Sequence, residues 1–214
     1  MKPKRRLLLP LALGLVFVVF FDSVVVFPFR LFVVFLHEIS HGLAAVLTGG
    51  HILSIAISPN EGGVCVTRGG WPFLVLNAGY LGSLLFGALF LLLGARRRSA
   101  RPVVATIGAF TLIAALLYVR SWFGFVYCVI AGLAFLAVST WLAPTASEFL
   151  LAAVGAMSSL YAVADIASDV IFRHSAASDA AALARATAIP SLAWGILWIA
   201  ISLATLFWVV RRLS

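Results

Sequence analysis

The sequence predicts an all-α integral membrane protein: a polytopic bundle of about six to seven transmembrane helices, with a short β-hairpin after the second of them. Three observations carry this. Of the 214 residues, 64% are hydrophobic and only 10% charged, more apolar surface than a water-facing exterior tolerates. Apolar runs of about 20 residues recur along the chain, each long enough to cross a bilayer as a helix. The basic residues gather at the ends of these runs: Lys2, Lys4, Arg5 and Arg6 before the first, Arg96, Arg97, Arg98 and Arg101 after the third, Arg211 and Arg212 at the close of the last. The runs lack the period-two alternation of a membrane β-barrel.

The net charge of +8 therefore reads as membrane anchoring and topology, and nucleic acid is excluded as a partner. Membrane lipid is the expected surroundings. Cys65 and Cys128 are the only cysteines, one in a loop and one in an apolar run, with no CxxC spacing. They indicate neither a disulfide framework nor a thiolate metal site.

A single domain, 1–214, accounts for the whole pattern. Residues 7–27 form a first span, retained because no small-residue cleavage site follows it, and Asp22 sits at its end. Residues 30–48 form the second, stopped by Gly49-Gly50. Two β-prone pieces, Ile52 to Ser58 and Val64 to Arg68, flank the turn signal Pro59-Asn60-Glu61-Gly62-Gly63 and predict a hairpin. Its edge either accepts an extended peptide by strand addition or is ordinary surface. Residues 72–94 form the third span, where Gly79, Gly82 and Gly87 permit close helix approach. Spans at 103–119 and 122–142 follow, with Arg120 at the interface between them. Pro144 opens the next helix, and Thr145 with Glu148 fits a capping box. A polar connection at 173–189, with Ser178 as an N-cap and Asp179 as a first-turn acid, leads to a last span at 190–210. Orientation does not resolve: seven simple spans put the N-terminal and Arg96–Arg101 charges on opposite sides, so either the hairpin re-enters the membrane or the first two spans are miscounted.

The second span carries the chemistry. Within LFVVFLHEISHGLAAVLTGG, His37 and His41 lie at i and i+4 on one helix face, so both imidazoles reach one metal ion, with Glu38 beside it. This H-E-x-x-H spacing suits two Zn²⁺ ligands and a general base for water. An unpaired glutamate in lipid costs several kcal/mol, which argues against accident.

A catalytic zinc needs a third protein ligand and an open position. His51 and His174 fall in loops. Asp165 and Asp169, also at i and i+4, share a helix face inside an apolar run. By analogy with soluble zinc proteases of the thermolysin type, Asp165 is the ligand and Asp169 supports a ligand histidine. Otherwise the pair faces water at the membrane edge. Asp179 is a further candidate.

His37 to Gly42, Gly62-Gly63, Ala78 to Gly82, Asp165 with Asp169, and Ser178-Asp179 together resemble the site-2-protease-like intramembrane zinc metalloproteases, in their bacterial and fungal peptidase-like branch. The resemblance covers most of the chain. It implies a multi-pass protein of a bacterial cell membrane that hydrolyses peptide bonds of transmembrane or membrane-proximal protein substrates, with zinc as cofactor and Glu38 activating water. It also implies substrate contacts from Asn77, Gly79 and Ser83. Two departures stand out: no Leu-Asp-Gly motif supplies a third ligand, and the family's Gly-x-x-x-Asn reads Gly79-x-x-x-Ser83 here. The competing readings are a non-proteolytic scaffold or metal-handling protein that keeps the site, and a transporter. Metal storage needs no base such as Glu38, and transporter-like repeated halves are absent. Oligomeric state is not legible.

Overall fold

A computed structural model describes residues 10, 12–17, 19–172 and 178–214. The Lys2 to Arg6 cluster and His174 lie outside the described residues. From Phe27 on, the described residues form seven helices and a hairpin: α1 (Phe27–Leu47), β1 (His51–Ile57), β2 (Gly63–Arg68), α2 (Pro72–Gly94), α3 (Arg97–Tyr118), α4 (Trp122–Trp141), α5 (Pro144–Ala167), α6 (Asp179–Thr187) and α7 (Ser191–Leu213). A π-helical turn, Ser168–Phe172, extends α5.

Six of the described segments are long and apolar enough to cross a membrane: α1, α2, residues 100–118 of α3, α4, residues 144–170 with α5, and α7. The protein is thus a multi-pass membrane protein with one small antiparallel hairpin. In α4, Trp122 and Trp141 are 81% and 84% exposed at the two ends of 20 residues. That spacing, about 30 Å along a helix, matches two interfacial aromatic belts.

The expected first span at 7–27 lies partly outside the described residues. Its described residues are helical only as far as residue 19, and turns occupy residues 20–26 before α1 begins. Within them Asp22 pairs with Arg30 at 3.3 Å. The anticipated capping box at Thr145 and Glu148 gives way. Ala143 is the N-cap of α5, with Pro144 in the first turn and Thr145 already helical, because proline's fixed φ starts the helix there. Four candidate spans lie between Arg96, just before α3, and Arg211 with Arg212, a parity that assigns both basic clusters to one side.

α1 is the most enclosed of the spans, packing against α2, α5 and both hairpin strands. Leu31, Phe35 and Ile39 are buried at its centre, and so are Arg30, Glu38, Ser40 and His41. The helix stops where Gly49 takes φ +86°, a left-handed turn that a side chain would resist, and Gly50 N–H returns to the Ala45 carbonyl at 2.7 Å. The chain then doubles back. β1 and β2 pair from His51 with Arg68 to Ile57 with Gly63, with one irregularity at Leu53. The hairpin runs antiparallel to α1: Ile52 lies against Gly42, Gly63 against Glu38, and the tip residue Glu61 reaches Arg30 near the helix start. The hairpin therefore folds back along the length of α1.

β1's second edge is occupied. Arg120 N–H donates to the Ile55 carbonyl at 2.9 Å, and the Ser121 hydroxyl bonds both the N–H and the C=O of Ile57 at 2.9 Å. Arg120 itself turns its guanidinium onto the last carbonyls of α3, capping that helix as a cation should. Among the described residues, β2's outer edge pairs with no strand. α2 and α5 approach closely where Gly87 faces Gly155, since a Cβ on Gly155 would stand 2.9 Å from the Gly87 carbonyl.

Candidate metal centre

His37 and His41 sit mid-way along α1, and the i, i+4 spacing turns both rings to α2. His41 Nδ1–H donates to the Val75 carbonyl at 2.7 Å, which leaves its Nε2 as a lone-pair donor. Both Nε2 atoms lie 3.1 Å from one oxygen, Oδ2 of Asp179. Among the described residues, His37, His41 and Asp179 form a group whose donor atoms lie within 4.8 Å of one another.

The third side chain in that group is Asp179, where Asp165 was expected. Asp165 lines the same cavity, and its charge reaches His37 and Tyr80. Asp169 accepts a 2.7 Å hydrogen bond from the Tyr80 hydroxyl, while the hydrogen bonds of His37 and His41 run to Asp179 and the Val75 carbonyl. The cause lies in the backbone: α5 widens into a π turn at Ser168, which breaks the α-helical register the pair would need to act together. Asp179 instead opens α6. Ser178 caps that helix by accepting from Ala181 N–H at 3.2 Å, as its sequence position predicts, and this fixes the next residue against the histidines. Burial pushes the Asp179 carboxyl up, but hydrogen bonds and charge from His37 and His41 outweigh it and hold the group below the usual carboxylate range.

Glu38 is 6% exposed and turns to the hairpin, with Gly63 pressed against its side chain: a Cβ there would stand 2.7 Å from Glu38 Cγ. The Gly62-Gly63 turn signal thus also clears the space that Glu38 occupies. Gly79 is its counterpart on α2, where a Cβ would run into Nε2 of both histidines. Ser83 lines the cavity, its hydroxyl bonded to the Tyr80 carbonyl and its carbonyl accepting from Ser158. Asn77 is turned away from the cavity, with its side-chain oxygen on the Trp198 indole N–H at 2.8 Å. His51 is exposed at the start of β1.

These groups open on a cavity of about 870 Å³ between α1, α2, α5 and the hairpin. At its mouth, Glu61 binds Arg30 at 2.9 Å and accepts from the Tyr161 hydroxyl at 3.3 Å. Sequence reasoning passed over Arg30, Tyr80 and Tyr161. The Ala-Gly-Tyr-Leu-Gly segment was the available signal for Tyr80; the others carry no local pattern.

The Peptidase M50B-like family pattern matches residues 10–209. The chain belongs to this family. This is the site-2-protease-like family of membrane peptidases, and the fold and the helical H-E-x-x-H segment agree with that placement. No curated protein and no solved structure gives a significant match. Peptidases of the M50 type are zinc metalloproteases, and the donor set here suits that ion: two imidazoles and a carboxylate are ordinary zinc ligands. Two ligands on a tetrahedral zinc stand roughly 3.3 Å apart, close to the 3.1 Å separations of Asp179 from each histidine. Gly79 leaves the side of the cluster open where any other residue would fill it.

Proposed function

We propose that the protein is an intramembrane zinc endopeptidase that cleaves peptide bonds of membrane-embedded or membrane-proximal proteins. The observation that carries this is the burial of Glu38 beside the convergent His37, His41 and Asp179, half-way along a membrane-length helix and open to one cavity. His37, His41 and Asp179 would hold the ion, and Asp165 is the alternative carboxylate on the same wall. Zinc, when bound, supplies a Lewis acid for the scissile carbonyl and lowers the pKa of water.

Glu38 takes a proton from the attacking water and returns it to the leaving amine. Its placement against Gly63 keeps the carboxylate from swinging away. The substrate enters as an extended strand, because β2 lines the cavity and its outer edge pairs with no strand among the described residues. A transmembrane helix must unwind locally to present such a strand. A bacterial cell membrane is the compartment we assign, from the resemblance to the bacterial branch.

The test compares cells expressing the parent with cells expressing Glu38→Gln at equal zinc content. Mapping of new N-termini in the membrane fraction should find cleavage products in the first and a loss of about 100- to 10,000-fold in the second. Identical N-termini in both would overturn the assignment.

A further inference from the structure

The two imidazoles are held by different means. His41 is oriented by the main chain through its bond to the Val75 carbonyl. Among the described residues, nothing hydrogen-bonds Nδ1 of His37. What its ring meets instead is Tyr80, with centroids 4.8 Å apart and planes at 82°, an edge-to-face contact. Tyr80 is 2% exposed and fixed on two sides. Its hydroxyl donates to Asp169 Oδ2 at 2.7 Å, and its ring leans on Trp198 at 5.0 Å. Trp198 is fully buried and tied in turn to Asn77.

From this geometry we infer that Tyr80, anchored by Asp169, is the positioning residue for His37. The torsion that aims an imidazole is broad and nearly two-fold, so a ring without an Nδ1 partner needs packing to select its direction. The perpendicular face of Tyr80 does this, and the Asp169 bond keeps the phenol ring from rotating away. Asp169 thus reaches the metal centre through one intermediary, where a direct carboxylate–histidine bond was expected. The inference rests on the proposed metal-binding role of His37.

The experiment measures zinc affinity by chelator competition on detergent-purified protein. It compares the parent, Tyr80→Phe, Asp169→Asn and the double variant. Tyr80→Phe keeps the ring and loses only the O–H. Each single change should weaken zinc, by about ten-fold for Tyr80→Phe, and the double variant should be no weaker than Tyr80→Phe, because both act on one hydrogen bond that Asp169→Asn makes neutral and weaker and Tyr80→Phe removes. The visible bands of the cobalt(II)-loaded protein should shift in Tyr80→Phe, as His37 is re-aimed. A purely structural role would lower the melting temperature and leave both readouts unchanged.

Parent-like zinc affinity in Tyr80→Phe, or losses that multiply in the double variant, would overturn the inference. Asp169→Asn tests the same bond from its other end should the tyrosine variant fail to fold. A parent that binds no zinc would overturn the metal-centre reading, and this inference with it.

Discussion

His37 and Asp179, 142 residues apart in the chain, meet at 3.1 Å. The contact joins the middle of a membrane-length helix to the first residue of a short helix late in the sequence. It brings the H-E-x-x-H segment together with a carboxylate from a polar connection, as the proposed metal centre requires.

Removal of that carboxylate separates the two candidate third ligands. Asp179→Asn should lower zinc affinity by about 100-fold or more, while Asp165→Asn should hold close to one zinc per chain. Metal content by mass spectrometry after dialysis reads both. The opposite pattern would move the third ligand to Asp165.

Two glycines should fail in different ways. Gly79→Ala drives a methyl group into both imidazoles and should abolish zinc binding. Gly63→Ala displaces only Glu38, so zinc should stay and peptide hydrolysis should fall by about 100-fold. Metal content and cleavage, measured on the same preparations, distinguish the two defects.

The Arg30–Glu61 pair ties the hairpin tip to α1. Glu61→Gln removes that partner from a buried guanidinium and should cost about 3 kcal/mol. Arg30→Met in the same chain should recover part of the loss, since the buried charge, left with the exposed Asp22 alone, is then gone. The thermal midpoint reports stability, and limited proteolysis near Asn60 reports release of the tip.

Cys65 supplies a pH signature of the folded hairpin. Burial, with the Glu38 charge nearby, pushes its thiol up to about 12. A raised thiol pKa favours the neutral form, so alkylation at pH 7.5 should run about a thousand-fold slower than for a free cysteine. The rate should climb about ten-fold per pH unit beyond pH 9, where an ordinary thiol levels off. A plateau near pH 9 would show the hairpin to be open.

The elements that composition and periodicity can specify were legible. The spans follow from apolar length, the hairpin from its Asn-Glu-Gly-Gly turn, and His37 with His41 from a helical spacing that holds in any straight helix. For Asp165 and Asp169, i, i+4 logic presumes an α-helix throughout, and the chain makes a π turn at Ser168. Asp179 looked like a helix-start acid and is one; that position also aims it at the histidines. The bond between Arg30 and Glu61 arises from the hairpin's return along α1, a path that local pattern does not encode.

The distance in sequence between the histidines and Asp179 also sets an order of events in the making of the protein. α1 enters the membrane with His37, Glu38 and His41 already in place. At ordinary elongation rates Asp179 is added roughly ten to thirty seconds later. Throughout that interval the nascent chain carries a base and two donors without the carboxylate that joins them. The candidate site is thus incomplete until that late carboxylate has been translated.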